Sequence, residues 1–338
     1  MRGFRDRDFL RTKEGFFFCV VGPVHPPDRV ISYVKYVPAD LGKWGKGRER
    51  FRRILESYTI PSLLETFNML TKDYPHYLFY SEVFKITMSA VPLEYIAEHY
   101  KPEEKLAHLL QAPRLDLLQR RLVEFASFLS KKGGVPLDFL GVTGSILLDI
   151  HRPEFSDLDL TVYGLENSLA IRKVLTEAYS QRDSTVQRLR NDALKTWCKH
   201  KAQRYPLTFN EALRIYERKW NIGVFRGTPF SVHPVKLEHK VKERYGDRIY
   251  KPLGQVTLRA LVHENADCLF LPAVYGVRDA EIMEGPKVKD IREVVSYEGL
   301  YDNLARLERV TEVTTGQEYY RVLVGSPEGR GTESIKLL

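Results

Sequence analysis

"GVTGSILLDIHRPEFSDLDLTVYG", Gly141 to Gly164, decides how the rest of the chain reads. An apolar strand end runs into a Gly144-Ser145 turn. Beyond it, Asp157 and Asp159 stand one residue apart in an apolar run that reads as a strand. Residues i and i+2 of a strand project from the same face, so the two carboxylates sit side by side and repel. A cation offsets that repulsion. Two such acids can hold a hard metal ion through oxygen, and Mg²⁺ takes one or two protein carboxylates while water and substrate phosphate complete its shell. A Gly-Ser turn at a helix start offers N–H groups, the helix dipole and a hydroxyl to a terminal phosphate. Together these parts make most of a nucleotidyl-transfer site. Acids are also common in turns, and "SDLD" by itself reads equally as turn or N-cap residues. The Gly144-Ser145 turn at this spacing, between apolar segments, is what favours a site.

Working outward, Arg114 to Lys132 carries Leu115, Leu118, Leu122, Phe125, Ala126 and Leu129 at steps of three and four, which predicts one apolar helical stripe. It stops at "KKGG", with cations in the last turn followed by glycines. "LDFLGVTG" reads as a strand, Ser145 to Ile150 as the start of a short helix, "DLDLTVYG" as a second strand and "SLAIRKVLTEAYSQ" as a helix. This order suggests an α/β or α+β core. Upstream, Gly15 to Pro38 reads as two strands joined by a Pro-rich turn, followed by the basic, Gly-punctuated connector "ADLGKWGKGRERFRRI". Residues from about Pro61 to Pro113 read as mostly helical. Downstream, Ser184 to Trp220 reads as a long basic helical region, and "NIGVFRGTPFSVHPVKLE" as a hairpin around Arg226-Gly227-Thr228-Pro229. From Gln255 onward the chain alternates in the strand manner, with "TTGQ" as a hairpin turn, and could close as a small barrel.

The chain has 338 residues, a length that predicts two or three domains, with 43% hydrophobic and 28% charged residues, an ordinary globular balance. No apolar run is long enough for a membrane span, and the N-terminus lacks a signal-peptide core, so the expected location is cytoplasmic, with no membrane partner. Cys19, Cys198 and Cys268 are too scattered for a disulfide framework or a zinc site. The formal net charge of +8 suits a polyanionic partner such as RNA or another nucleic acid, or nucleotide phosphates. Basic residues concentrate between Arg182 and Arg226, interleaved with Trp197, Tyr205, Tyr216 and Trp220. Such a mix suits triphosphate clamping and base stacking, or else a solvated helix with its aromatics in the core. Lys195 and Lys199, at i and i+4, share a helix face and are candidates for one phosphate group.

Val142-Thr143-Gly144-Ser145 and Asp157-Leu158-Asp159-Leu160 resemble the signature of the DNA polymerase beta superfamily of nucleotidyltransferases. The resemblance covers about Leu137 to Gly164, with a weaker extension to about Glu238. The whole chain is similar to an archaeal group of predicted nucleotidyltransferases of unassigned substrate, on "EGFFFCVVGPVHPPDRVISYVKYVP", "GVTGSILL" with "SDLDLTVYG", and "YYRVLVGSPEGRG". The resemblance implies a polymerase-beta-like core of mixed sheet and helices over 114–250; with the strand-like tail over 251–338, a β-rich C-terminal domain that could close as a barrel, the expected fold class is α+β. Residues 1–55 precede these as a β-hairpin segment with its connector, and 56–113 as the helical segment. It implies Mg²⁺ or Mn²⁺ as cofactor at Asp157 and Asp159, with an NTP whose phosphates lie on Gly144 and Ser145. The reaction would pass an NMP to the hydroxyl of an acceptor. The superfamily adds a third carboxylate on a later strand. The corresponding strand here, "FSVHPV", holds none; His233 stands at that place as candidate base or metal ligand, and Glu238 lies just beyond it. The departure leaves open a degenerate fold that only binds nucleotides or nucleic acid. Asp149 and His151 read as helix-end residues or as pocket lining.

Overall fold

The computed structural model describes residues 2–47, 49–55, 60–181, 185–205, 207–297, 305–312 and 317–324. It is a mixed α+β structure with two open sheets and a C-terminal sheet that curls into a barrel.

The first sheet is built from β1 (Phe9–Thr12), β2 (Phe17–Val20), β3 (Arg29–Pro38), β4 (Trp44–Lys46) and β5 (Glu49–Arg53), then, after helix α1 (Ile60–Asp73), from β6 (Leu78–Ser81), β7 (Ile86–Pro92) and β8 (Ile96–Tyr100). All its pairings are antiparallel. Strand β3 gives one edge to β2 and divides the other between β5 at Tyr36–Pro38 and β7 at Arg29–Ile31. Its residues are buried almost continuously, because both faces of the sheet are covered. On one face Leu10, Phe18, Val20, Val30 and Val34 pack with Leu70 of α1 and Tyr77. On the other, Phe9, Phe17, Cys19, Tyr36 and Phe51 pack with Leu147, Leu148 and Ile150, the residues that follow Gly144-Ser145.

This corrects two readings of the sequence. The connector at 39–54 forms the β4–β5 hairpin, and the segment at 61–113, read as mostly helical, holds three strands between its helices. Those strands are stabilised by partners remote in sequence: β7 lies on β3 and β8 on β1. Strand preference of this kind is set by context more than by local composition.

Helix α2 (Pro102–Gln111) and helix α3 (Leu117–Gly133) lead into β9 (Leu140–Val142), the single turn α4 (Gly144–Leu147), β10 (Leu158–Tyr163), α5 (Leu165–Ser180), β11 (Val186–Gln187), α6 (Asn191–Arg204), α7 (Phe209–Arg218), β12 (Ile222–Phe225) and β13 (Thr228–Val235). The five strands form a sheet in the order β11-β12-β13-β10-β9, in which β10 runs parallel to β13 and antiparallel to β9. The predicted stripe of α3 is buried on this sheet: Leu118, Leu122, Phe125 and Leu129 pack with Val142, Leu160, Ile171 and Phe230. The basic region at 184–220, read as helical, holds the two helices α6 and α7, preceded by the short strand β11.

The C-terminal strands are β14 (Arg248–Glu264), β15 (Ala273–Glu284), β16 (Ile291–Ser296), β17 (Ala305–Glu312) and β18 (Glu318–Val324), closing in the order β14-β15-β16-β18-β17. The "TTGQ" turn and the "GSPEGRG" loop lie outside the described residues.

A charged network fastens the N-terminal segment to the rest. Fully buried Asp8 accepts from Arg2 at 2.6 and 2.9 Å and faces His99 Nε2 at 2.7 Å. Arg2 also pairs with Glu103 of α2, which accepts from the Tyr163 hydroxyl of β10 at 2.9 Å. Asp116 closes a capping box at the start of α3, and its second oxygen lies 2.7 Å from Nε2 of His151, which is buried. Asp116→Ala should therefore lower stability by about 1–2 kcal/mol, since it removes the cap and leaves a buried imidazole nitrogen without its partner. Urea unfolding that shows no change would disprove this role.

Candidate active site

Asp159 is the second residue of β10, in register with Ser231 on the parallel strand β13, and Thr161 is in register with His233. Alternation along β13 brings Ser231 and His233 to the same side as Asp159. The Ser231 hydroxyl donates to Asp159 Oδ1 at 2.5 Å, and His233 Nε2 lies 2.7 Å from that hydroxyl. Having spent its one proton on Asp159, the serine accepts from His233, so the imidazole carries its proton on Nε2. His233 Nε2 is 3.9 Å from Asp159 Oδ1. Desolvation and then repulsion by Arg7 push His233 down to about 4, so it is neutral at neutral pH. Desolvation alone would raise Asp159. Hydrogen bonding and charge from His233, with Lys35 and the Ser231 hydroxyl, outweigh it and hold this carboxyl well below the usual range.

Asp157, just before β10, behaves oppositely. Desolvation in the cleft, followed by the charge of Asp159, pushes it up to about 7 against the pull of Arg53 and Lys35. Its side chain still opens to solvent at the cleft mouth, where water screens part of the effect.

The Gly144 turn abuts this pair. Gly144 has φ +69°, and a Cβ there would lie 2.4 Å from Asp159 Oδ2. Only glycine lets the carboxylate approach the turn this closely. Thr143 N–H donates to the Asp159 carbonyl at 3.0 Å, and the Thr143 hydroxyl donates to the Arg7 carbonyl at 2.8 Å. Ser145 is nearly buried but lines the cleft. Between Ile150 and Asp157, Arg152 N–H donates to Ser156 Oγ at 2.9 Å and Ser156 N–H to the Arg152 carbonyl at 2.8 Å, which closes the loop on itself.

The cleft holding Gly144, Ser145, Asp157, Asp159, Ser231 and His233 is about 1000 Å³, the top of the range for one small-molecule site. Some of its cations stand where the sequence reading did not look: Arg7, just before β1, Lys35 of β3 and Arg53 of β5. Lys201 and Arg204 of α6, with Lys219, belong to the basic region it singled out. Lys35 lies in an apolar strand, nearly buried, with Nζ 5.3 Å from the Phe9 ring and 5.6 Å from the Tyr36 ring. A lysine inside "RVISYVKYVP" is the one signal that could have marked it.

The structure does not bring Lys195 and Lys199 into the cleft. Both are exposed, and Lys195 lies 3.5 Å from Asp192. The helix turns the other face inward, where Trp197, Lys201, Arg204 and Tyr205 line the cleft. Of the other aromatics, Tyr216 and Trp220 are buried. Glu238 does not take the place of a third acid: it forms a two-pronged ion pair with Arg5, both contacts at 2.6 Å. Asp149 pairs with Lys105 at 2.6 Å, and His151 is the partner of Asp116, so both hold the fold. Among the described residues no group of three or more His, Cys, Asp or Glu is arranged to hold a metal. Nor is any helix there long and apolar enough to cross a membrane.

Along almost its whole length the chain is similar to the uncharacterized protein MJ1086 of Methanocaldococcus jannaschii, at 28% identity over 345 residues with 98% of each chain covered. No protein-family model matches it. No solved structure matches it.

Gly144→Ala should cost more than about 1 kcal/mol in a denaturation curve, since the substituted residue must both hold a positive φ and displace Asp159. The Asp157 carboxyl should titrate near 7 in carboxyl-carbon NMR of metal-free protein. Between its ordinary range and about 7 the folded state keeps a proton that the unfolded state has lost, so stability falls as pH rises through that window. Asp157→Asn should flatten that slope, and an unchanged slope would reject the assignment.

Proposed function

We propose that the protein is a metal-dependent nucleotidyltransferase that passes an NMP from an NTP to a hydroxyl of an acceptor and releases pyrophosphate. The observation that carries the reading is the acid pair itself: Asp159 against the Gly144 turn, its carboxyl held well below the usual range, and Asp157 beside it in the same cleft, its carboxyl pushed up by desolvation and then by the Asp159 charge. A divalent cation between them removes that conflict. Two carboxylates are the number Mg²⁺ takes when phosphate and water fill its other positions.

Asp157 and Asp159 are the residues that would hold Mg²⁺ or Mn²⁺, which supplies charge neutralisation to the transferring phosphoryl group. Gly144 and Ser145 border the place for the triphosphate, with Lys35, Arg53 and Lys201 around it. The acceptor oxygen bonds to the α-phosphorus as the bond to pyrophosphate breaks, and the hydroxyl proton passes to solvent. Ser231 and His233 act as positioning residues, since their hydrogen-bond chain fixes the rotamer and ionisation of Asp159. The reading takes in a polymerase-beta-like core, supported by the sequence of strand, turn, acid-bearing strand and parallel β13. The cationic walls favour a polyanionic acceptor such as RNA.

One observation favours a second reading, a degenerate fold that binds nucleotides or nucleic acid without transfer: β13 offers Ser231 and His233 where the superfamily has an acid, and Glu238 is bound to Arg5. Incubation with each labelled NTP, Mg²⁺ or Mn²⁺, and RNA, DNA and protein fractions separates the two. Transfer should occur and be abolished by Asp157→Asn or Asp159→Asn with circular dichroism unchanged, and added Mg²⁺ should shift the Asp157 titration downward. Normal turnover in both variants would end the proposed site. Steeply salt-dependent nucleic-acid binding with no turnover and no metal effect would establish the second reading.

A further inference from the structure

We propose that Phe155, braced by Trp44, is the platform on which the base of the bound nucleotide stacks. This rests on the nucleotidyl-transfer reading of the cleft and names the part of the nucleotide that the phosphate and metal residues leave unaccounted for.

Phe155 lies two residues before Asp157, lines the same cleft, and is 49% exposed. An aromatic ring left in water forgoes the gain of burial, and in a cleft it offers a flat apolar face to a planar ligand. Its position is fixed from the first sheet. The Trp44 ring lies 5.5 Å from it at 85°, and Tyr36 lies 5.5 Å from Trp44 at 57°. One perpendicular neighbour supports the phenyl ring while leaving much of it uncovered.

The main chain reinforces the brace. Gly45 N–H donates to the Ile150 carbonyl at 2.8 Å, tying the β4–β5 hairpin to the loop that carries Phe155 and Asp157. Gly45 holds φ +86°, and a Cβ there would lie 2.2 Å from the Glu49 carbonyl, so the hairpin takes this shape only with glycine. Phe155 N–H donates to the Arg152 carbonyl at 3.1 Å. An exposed ring held this firmly, next to the acid pair and opposite no aromatic of its own loop, has the preorganisation that stacking recognition requires. Two residues of chain separate platform from metal ligand, so their Cα atoms lie within about 7 Å of each other and both side chains line one cleft.

The test is equilibrium binding by calorimetry, with the full chain and Mg²⁺, of ATP and of inorganic tripolyphosphate, which has the phosphates but no base. Phe155→Ala should weaken ATP on the order of tenfold and leave tripolyphosphate unchanged, and Phe155→Tyr should restore most of the affinity. An equal loss for both ligands would show that the ring only supports the loop, and an unchanged ATP affinity would show that the base lies elsewhere; either result overturns the proposal without touching the transfer reading. Wild-type protein that binds neither ligand overturns both.

Discussion

Asp157 and Asp159 project together from the start of β10, and the repulsion between them is the constraint around which the neighbouring structure is arranged. The protein does not separate the two charges. It fixes Asp159 by hydrogen bonds from β13, leaves the Asp157 carboxyl pushed up by desolvation and by its neighbour, and lines the cleft around both with cations from the first sheet, the segment before it and α6. The close approach at Gly144 follows from the same arrangement, because the ionised carboxylate needs the space a side chain would fill. Where charges of one sign are kept together at such cost, the arrangement is more readily understood as a receptor for a counter-ion than as a device for stability.

The first sheet thus belongs to the chemistry as much as the second does. One of its faces packs on the residues following the Gly-Ser turn, so that Lys35 and Arg53 on its strands, and Arg7 just before β1, reach the cleft from far away in sequence. The N-terminal network through Asp8, Arg2 and Glu103, with Arg5 on Glu238, locks that sheet to α2, β10 and the segment after β13. A site assembled across two sheets is only as well ordered as the contacts between them, and these contacts are charge-assisted, with Asp8 at their buried centre.

Much of this was legible in the chain. The spacing of Gly144-Ser145 to Asp157 and Asp159, the stripe of α3, the hairpin of β12 and β13 and the strand-like tail all rest on local patterns, and local patterns survive folding when they agree with it. The strands β6 to β8 were not legible, because β7 is a strand by virtue of β3 and β8 by virtue of β1, with β6 added on β7. The inward face of α6 was not either: Lys195 and Lys199 form as good a pair on paper as Trp197 and Lys201, and only the packing of the helix chooses between them. Lys35 was visible but unremarked, a lone charge in an apolar strand. Which face a helix turns inward, and which remote strand completes a sheet, are tertiary facts that composition does not encode.

The loop between Ile150 and Asp157 is stitched at every stage: His151 to the cap of α3, Arg152 to Ser156 in both directions, and Ile150 to Gly45. A segment so constrained has surrendered its disorder at the time of folding. An arriving ion or ligand therefore meets a receptor that is already shaped, and its binding energy is not diverted into organising the backbone.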